Sequence, residues 1–183
     1  MRPQDDSARF PDLFRSHERT WGSIRVNFRF SLDHPPSDLI GNVRMVPFVG
    51  DDVVVVRSEQ FGPMIVGGTL EPNETPVRAI ERELLEEAGA ALRSFAPLGC
   101  ALFHSDAPEP YRPHLPHPDW YWLIGYGDVE LVSAPLNPDD GERILTVDLL
   151  TPEHAAETFR EVGDGWAADL VMLAVERRRA GRR

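Results

Sequence analysis

The chain contains no lysine, and all 19 of its basic residues are arginines. A protein without lysine forms no Schiff base, has no lysine general base and lacks the Gly-Lys-Ser/Thr ending of the Walker phosphate loop. The single cysteine, Cys100, excludes an internal disulfide framework and any zinc site built from several cysteines. Because Cys100 lies in an apolar stretch, we expect it to be a buried core residue.

Long hydrophobic runs are also missing. The longest, at residues 120–127 and 170–175, fall far short of the roughly 20 residues that a membrane helix needs. No apolar stretch follows the polar N-terminal residues, so a signal peptide is not expected. These absences predict a cytoplasmic protein with no membrane partner.

The charge of the chain is strongly negative. Its 183 residues carry a net charge of −11, and 42% of them are hydrophobic, as in one soluble domain with at most a short extension. Five arginines crowd into residues 177–183, where a fraying, disordered end is expected rather than a specific nucleic-acid site. Such an acidic protein repels polyanions unless cations intervene.

Alternating or continuous apolar segments predict a set of short strands. Residues 1–20, by contrast, are polar and irregular. The spacer Gly50-Asp51-Asp52 between two β-branched runs favours a hairpin. The predicted strands cover residues 24–30, 43–49, 53–57, 100–104, 120–127 and 144–149, with a shorter apolar stretch at 64–66.

Three helices have recognisable start signals. Thr75 is a suitable N-cap with Pro76 at the first helical position, and Gly89 is suited to end that helix. Thr151 precedes a second helix that reaches about residue 160, and Asp164 precedes a third over residues 166–179. Strands mixed with separated helices predict a mixed sheet packed between helices.

The first of these helices carries a cluster of carboxylates. At 100° per residue, Glu83, Glu86 and Glu87 fall within an arc of about 100°. Like charges on adjacent turns repel one another, so the cluster needs a compensating cation. Divalent metal ions prefer such oxygen ligands, and Gly67-Gly68 upstream allows a backbone carbonyl to approach. Metal ions would then attract a polyphosphate and activate a water that attacks phosphorus.

The alternative interpretation is a solvated acidic helix face, which is the usual meaning of a charge cluster. It does not account for the fixed spacing of the surrounding residues. Taking each residue type at its average usage, seven identities at these offsets arise by chance about once in 10^8 starting points. The seven are Gly68, Glu74, Arg82, Glu83, Glu86, Glu87 and Gly89.

This segment resembles the signature of the Nudix hydrolase family, G-x5-E-x7-R-E-U-x-E-E-x-G-U, where U is a bulky aliphatic residue. It departs from the signature at Ala90, which is small, and from a frequent family feature at Val66, where proline is common. The resemblance implies an α/β/α sandwich with a mixed sheet over residues 39–180, preceded by an extension, residues 1–38, with one strand. It also implies hydrolysis of a nucleoside diphosphate linked to another moiety.

The resemblance also implies roles for individual residues. Magnesium or manganese would be bound by Glu83, Glu86 and Glu87, with the carbonyl of Gly68 or Gly67 as a further ligand. Arg82 and Glu74 would bridge the helix to its preceding loop, and Arg82 would also orient a catalytic carboxylate.

The general base stays open between the helix and a later loop. Glu86 and Glu87 are the candidates on the helix, and Asp140 and Glu142 are those on the loop. Two further acids, Asp128 and Glu130, are alternatives for an extra metal ligand. For each of the acids outside the helix, the competing interpretation is a side chain that simply faces solvent.

A segment rich in histidine, proline and aromatic residues, 104–122, has two interpretations. His104, His114 and His117 would suit a zinc site. A substrate loop is favoured instead, in which Arg112 contacts phosphate and an aromatic ring such as that of Tyr111 stacks on a base.

Substrate and assembly remain open. Pro108 and Tyr111 lie too far beyond the signature to match the family's subgroup markers, so ADP-ribose-like compounds and nucleoside triphosphates are both retained. A non-catalytic nucleotide-binding or sensing module is the alternative, which the complete set of glutamates disfavours. The strand near residues 23–31 would pair within its own sheet or with a second copy, which suggests a homodimer.

Overall fold

A mixed β-sheet separates two layers of helices in the computed structural model, which describes residues 6–21, 24–138 and 141–182. The elements are, in chain order, α1 (Asp6–Arg9), α2 (Pro11–Phe14), β1 (His17–Trp21), β2 (Ile24–Ser31), a 3-10 turn (Ser37–Leu39), β3 (Ile40–Val49), β4 (Asp52–Ser58), β5 (Gly62–Met64), β6 (Gly67–Thr69), α3 (Pro76–Glu83), a π-helical turn (Leu84–Ala88), β7 (Ala90–Leu92), β8 (Ala96–Ser105), β9 (Asp119–Leu131), β10 (Ile144–Leu150), α4 (Pro152–Glu161) and α5 (Gly165–Gly181).

The strands run in the order β1-β2-β8-β9-β3-β4-β10, with β5 beside β4, β6 beside β3 and β7 beside β9. Strands β3 and β9 pair in parallel, and their neighbours pair antiparallel. One face packs against α4 and α5 through residues such as Phe159 and Leu170, and the other against α3 through Ile80. The predicted α/β/α sandwich with a mixed sheet is therefore confirmed.

The predicted helix caps are present. The side chains of Thr75, Thr151 and Asp164 each accept a hydrogen bond from a backbone N–H of the first turn that follows. Gly89 adopts a left-handed conformation, with φ of 59°, directly after the π-helical turn. Strands β3 and β4 form the predicted hairpin through Gly50, whose φ is 62°. None of the helices in the described residues is long and apolar enough to span a membrane.

The N-terminal region differs from the prediction. Residues 6–21 form α1, α2 and β1, and Leu13 is fully buried, so an irregular segment was the wrong expectation. The helices are too short to show a period, and β1 exists only because it pairs with β2, a contact that local patterning does not reveal. Two strands rather than one precede residue 39; the domain boundary itself stays a prediction.

Strand β2 lies between β1 and β8 of the same chain. Both of its edges are therefore hydrogen-bonded internally, and it is not the edge that a second copy would need. The strand pairs within its own sheet, which is one of the two predicted alternatives. The homodimer stays a prediction without a contribution from this strand.

Within the described residues, the arginines from Arg177 to Arg182 lie on or directly after α5, contrary to the expectation of a disordered end. Arg178 is buried, pairs with Asp128 and donates a hydrogen bond to the carbonyl of Gly50 at 2.6 Å. Its guanidinium also lies 4.4 Å from the ring centroid of Phe48. The end of α5 is thus fixed to the β3–β4 turn by a long-range contact that composition alone does not disclose.

We expect Arg178→Met to lower the free energy of unfolding by about 1–3 kcal/mol, because the substitution removes a partly buried ion pair and a hydrogen bond. Arg179→Met is the matched control, since Arg179 is the exposed neighbour. Thermal unfolding of both variants measures the difference, and equal melting temperatures would contradict the role assigned to Arg178.

Candidate functional site

Two glycines bring the helix and the sheet into close contact at the site. Gly67 has φ of 138°, and a Cβ there would overlap the carbonyl oxygen of Val43 on the neighbouring strand β3. A Cβ on Gly68 would overlap the carboxylate of Glu83. Glycine is therefore required at position 67, and the absence of a side chain on Gly68 leaves room for the Glu83 carboxylate beside the backbone of β6.

The sequence predicts one continuous α-helix for the segment that carries the glutamates, but the structure divides it into two parts. α3 ends at Glu83, and residues Leu84–Ala88 form a π-helical turn that Gly89 closes by donating its N–H to the carbonyls of Leu84 and Leu85. The wider turn rotates Glu87 back towards the line of Glu83. The glutamates still face one space, a cavity of about 630 Å³ whose lining includes Gly67, Gly68, Glu83, Glu86 and Glu87.

Arg82 connects the carboxylates to one another and to the preceding loop. Its Nε and Nη2 each donate to Glu74 at 3.0 Å, and Nη2 also donates to the carbonyl of Thr69 at 3.2 Å. Its Nη1 donates to Glu83 at 2.8 Å and to Glu86 at 3.1 Å. The predicted contact between Arg82 and Glu74 is thus present, and Arg82 holds two of the three clustered glutamates in orientation.

The electrostatics of Glu74 follow from the arginine. Burial alone would raise the pKa of the Glu74 carboxyl, but the hydrogen bonds from Arg82 and from the backbone N–H of Glu71, together with the charge of Arg82, lower it. The hydrogen bond to Glu74 in turn raises the pKa of Arg82. This pair is ionised throughout the physiological range and fixes the loop to the helix.

Glu83 and Glu87 lie in a different environment. Each is less than a tenth exposed, and desolvation raises the pKa of Glu83 and raises that of Glu87 to about 8. The charge of Arg44 and the N–H of Gly67, which donates to Glu87 Oε2 at 3.0 Å, oppose the shift only in part. A buried carboxylate with a raised pKa is one whose charge is incompletely compensated.

The described residues hold no preformed group of three or more His, Cys, Asp or Glu side chains in metal-binding geometry. Glu83 and Glu86 each face Arg82 through one oxygen, and Glu87 accepts the Gly67 N–H through one oxygen. Within the described chain no donor engages the second oxygen of these carboxylates. The donor set is therefore suited to a hard cation, which prefers carboxylate oxygens.

The loop candidates fall into two groups. Glu142, Arg112 and Tyr111 line the same cavity as the glutamates, although sequence spacing alone did not join them to the helix. Asp140 lies outside the described residues. Asp128 and Glu130 lie elsewhere, because β9 carries them away from the cavity and pairs them with Arg178 and Arg93. The structure therefore gives no support to an extra metal ligand from either residue.

The three histidines do not converge. His104 contacts Asp119 at 2.8 Å, whereas His114 Nε2 lies 2.8 Å from the carbonyl of Leu70. His117 lines a separate part of the cleft. The geometry therefore gives the zinc alternative no support.

A second cavity of about 550 Å³ adjoins the first, and the two share Asn42, Arg44, Tyr111 and Glu142. We call the part with the clustered glutamates the acidic half. The aromatic half is the part lined by Trp120, Trp122, Leu115, Pro116 and His117. Together they form one cleft, large enough for a nucleotide.

Sequence reasoning missed Asn42 and Arg44, which lie where the two halves meet. Both are on β3, at alternate positions of a strand that otherwise carries Val43 and Met45 in the core. Two polar residues that alternate with buried apolar ones are the signal that would have found them. The guanidinium of Arg44 lies 4.9 Å from the ring centroid of Trp122 and donates to the carbonyl of Ile65 at 3.0 Å.

The chain is similar to known proteins in sequence pattern and in fold. The sequence model of the NUDIX domain matches residues 39–170. The fold is similar to that of a pyrophosphohydrolase from Bacillus subtilis, with a TM-score of 0.51, 19% identity and coverage of 82% of this chain and 99% of that one. An ADP compounds hydrolase gives a TM-score of 0.55 and 16% identity, with coverage of 92% and 97%. No curated protein sequence matches this chain.

The raised pKa of Glu87 predicts how the metal-free protein responds to pH. Unfolded, this carboxyl ionises near its ordinary value of 4.5, whereas folded it retains its proton to about pH 8. The folded state thus binds more protons between these values, and the free energy of unfolding falls as the pH rises through them, by up to about 5 kcal/mol. Glu87→Gln should flatten this dependence.

The measurement is the melting temperature in the presence of a chelator, from pH 5 to pH 9. Glu81→Gln serves as control, because Glu81 lies on the same helix, pairs with Arg78 and does not line the cavity. An unchanged pH dependence in Glu87→Gln would show that the burial of this carboxylate does not govern it.

Proposed function

This chain belongs to the Nudix hydrolase family, which acts on pyrophosphate bonds, and we propose that it cleaves a nucleoside diphosphate linked to another moiety with the help of a divalent metal ion. The substrate is an ADP-ribose-like compound or a nucleoside triphosphate. One observation carries the proposal: Glu83, Glu86 and Glu87 line a single cavity beside the backbone of Gly67 and Gly68.

The residues of the acidic half fit magnesium or manganese. Glu83, Glu86 and Glu87 would hold the ion, together with the carbonyl of Gly68, and all of these are the oxygen donors that hard cations prefer. The incomplete compensation of the buried Glu87 charge supports this assignment, because a cation would supply the missing positive charge. When bound, the metal neutralises phosphate oxygens and lowers the pKa of a water molecule.

Arginines of the cleft are suited to bind the phosphates of the substrate. Arg44 forms no ion pair with a carboxylate within the described chain, and its buried Nε has no hydrogen-bond partner there. Arg112 lines the acidic half from the loop. A guanidinium binds phosphate bidentately, so these two residues would hold the diphosphate against the glutamates.

Two residues are assigned to orientation and proton transfer. Arg82 is a positioning residue, since its Nη1 donates hydrogen bonds to the carboxylates of Glu83 at 2.8 Å and Glu86 at 3.1 Å. Glu142 is assigned as the group that accepts the proton of the attacking water at its carboxylate, because it lines both halves of the cleft and interacts electrostatically with Glu87. General bases of this kind contribute about 10²- to 10⁴-fold to rate.

We expect Glu87→Gln to lower kcat by about 10²- to 10⁴-fold while the protein stays folded, because the amide cannot hold the metal as the carboxylate does. The measurement is phosphate or nucleotide release from ADP-ribose and nucleoside triphosphates with magnesium. Glu81→Gln is the matched control and should retain full activity.

Glu142→Gln separates the proton-accepting role from metal binding. This substitution should lower kcat to a similar extent but leave the affinity for manganese unchanged. Glu87→Gln, by contrast, should lower both kcat and the manganese affinity. Calorimetry measures the affinity. Full activity of Glu87→Gln, or no hydrolysis of any nucleotide by the wild type with a metal present, would overturn the proposed function.

Arg44→Ala should reduce kcat/KM by about 10- to 100-fold, because it removes a charge-assisted contact to the substrate phosphate. Arg57→Ala is the control: Arg57 lies on the adjacent strand β4 and pairs with Asp148 outside the cleft. Steady-state kinetics of both variants, with melting temperatures to exclude unfolding, provide the measurement. Equal kcat/KM values for the two variants would remove Arg44 from substrate binding.

A further inference from the structure

The loop between β8 and β9, residues 106–118, forms much of the wall of the cleft. Arg112 lines the acidic half, whereas Leu115 and Pro116 line the aromatic half. Five of the 13 loop residues are prolines, which fix φ and reduce the number of conformations open to the chain. A loop restricted in this way needs few contacts to hold it in one position.

A hydrogen bond joins this loop to a segment far away in sequence. The Nε2 of His114 lies 2.8 Å from the carbonyl oxygen of Leu70. Because a carbonyl oxygen only accepts, Nε2 carries the proton and donates it, in the neutral ring as well as in the imidazolium. Within the described chain, the other hydrogen bonds of the loop stay inside it or reach the adjoining strand β8. The contact of His114 therefore fixes the loop to the opposite side of the cleft.

Leu70 directly follows β6 and is itself firmly held. Its side chain is buried in the core, and its N–H donates to the carbonyl of Gly41 on β3 at 3.1 Å. The carbonyl of the preceding residue, Thr69, accepts a hydrogen bond from Arg82 at 3.2 Å. His114 thus attaches the loop to the same short segment that Arg82 attaches to the carboxylate-bearing helix.

The backbone of the loop connects His114 closely with Arg112. Residues 112–115 form a turn in which the N–H of Leu115 donates to the carbonyl of Arg112 at 3.0 Å. Pro113 is the second residue of this turn, where proline is favoured. No carboxylate of the described chain pairs with Arg112, whose guanidinium lies 5.8 Å from the ring centroid of Tyr111 on the same loop. The position of the turn therefore determines where this charge lies.

We propose that His114 is a positioning residue, which holds Arg112 at the acidic half by donating its Nε2–H to the carbonyl of Leu70. This inference rests on the proposed function, in which Arg112 binds a phosphate of the nucleotide. Without the imidazole donor the loop loses its attachment to β6, and ordering it around the ligand then lowers the affinity for the nucleotide.

The metal site does not depend on this contact. Glu83 and Glu86 are oriented by Arg82, and Glu87 accepts the N–H of Gly67, so none of the three glutamates is held by the loop. Loss of the imidazole should therefore weaken nucleotide binding and leave the affinity for manganese alone unchanged.

The test measures binding of α,β-methylene-ADP, a nucleoside diphosphate whose methylene bridge resists hydrolysis, to the magnesium-loaded protein by calorimetry. His114→Ala should weaken binding about 3- to 10-fold, as expected for one hydrogen bond. His114→Gln should restore most of the affinity, because the glutamine Nε2 lies the same number of bonds from the backbone and also donates. His154→Ala, at an exposed position of α4, is the control and should bind as the wild type does.

A double-mutant cycle determines whether His114 acts through Arg112. His114→Ala should cause little further loss of affinity in the Arg112→Ala background, because the group that it positions is already absent. In steady-state kinetics, His114→Ala should raise KM and leave kcat unchanged, which a general loss of structure would not do. Melting temperatures and the manganese affinity confirm that each variant is folded.

Three results would each overturn the inference: wild-type affinity in His114→Ala, no recovery in His114→Gln, or an equal loss with and without Arg112. No binding of α,β-methylene-ADP by the wild type would overturn it as well. Because the main readout is binding, the two proposals fail separately. Binding that depends on His114 in a protein that hydrolyses no nucleotide contradicts only the proposed function, whereas hydrolysis with an affinity insensitive to His114 contradicts only the positioning role.

Discussion

The contact between buried carboxylates and the backbone of two glycines constrains the rest of the site. Glu83 packs on Gly68 where a Cβ would overlap it, and Glu87 accepts the N–H of Gly67. A side chain at Gly67 would overlap the backbone of β3, and one at Gly68 would displace the carboxylate of Glu83. The same closeness excludes water from the two carboxylates and raises the pKa of each, so that their ionised forms lack a compensating positive charge.

The π-helical turn and Arg82 both contribute to the orientation of these carboxylates. A regular α-helix already places Glu83 and Glu87 about 40° apart on one face, and with the π-helical turn over residues 84–88 both still line the same cavity. Arg82 then compensates the carboxylates from the loop side, where Glu74 holds its guanidinium through two hydrogen bonds of 3.0 Å.

Much of this was predictable because it depends on local sequence. The caps at Thr75, Thr151 and Asp164, the β3–β4 hairpin and the carboxylate cluster are each encoded within a few residues. The contacts that were missed join distant segments. β1 exists through its pairing with β2, and Arg178 is buried because α5 reaches Asp128 and Gly50. Neither the β1–β2 pairing nor the contacts of Arg178 can be predicted from the sequence of a single helix or strand.

The same reasoning explains why Asn42 and Arg44 were missed while Glu142 was found. Glu142 follows an acidic loop, where a candidate catalytic carboxylate is easily recognised. Asn42 and Arg44, by contrast, can be recognised as cleft residues only from the strands that lie beside them. β6 on one side brings Gly67 beside Arg44, and β9 on the other brings Trp122 beside Asn42. The β6 segment and β9 lie far apart in sequence, so only the assembled sheet discloses the cleft.

The positions of the arginines determine how the net negative charge of the chain affects the cleft. Arg177, Arg178 and Arg182 pair with carboxylates of the N-terminal helix, the β3–β4 turn and the end of β9, so these three charges are compensated within the chain. Asp128 there is opposite Phe48, about 13 Å along β3 from Arg44. The cleft therefore gains little positive potential from that cluster. Under the proposed function, an acidic protein binds a polyphosphate through cleft arginines such as Arg44 and Arg112 and through cations held by the buried glutamates. Substrate affinity and metal occupancy should then be coupled.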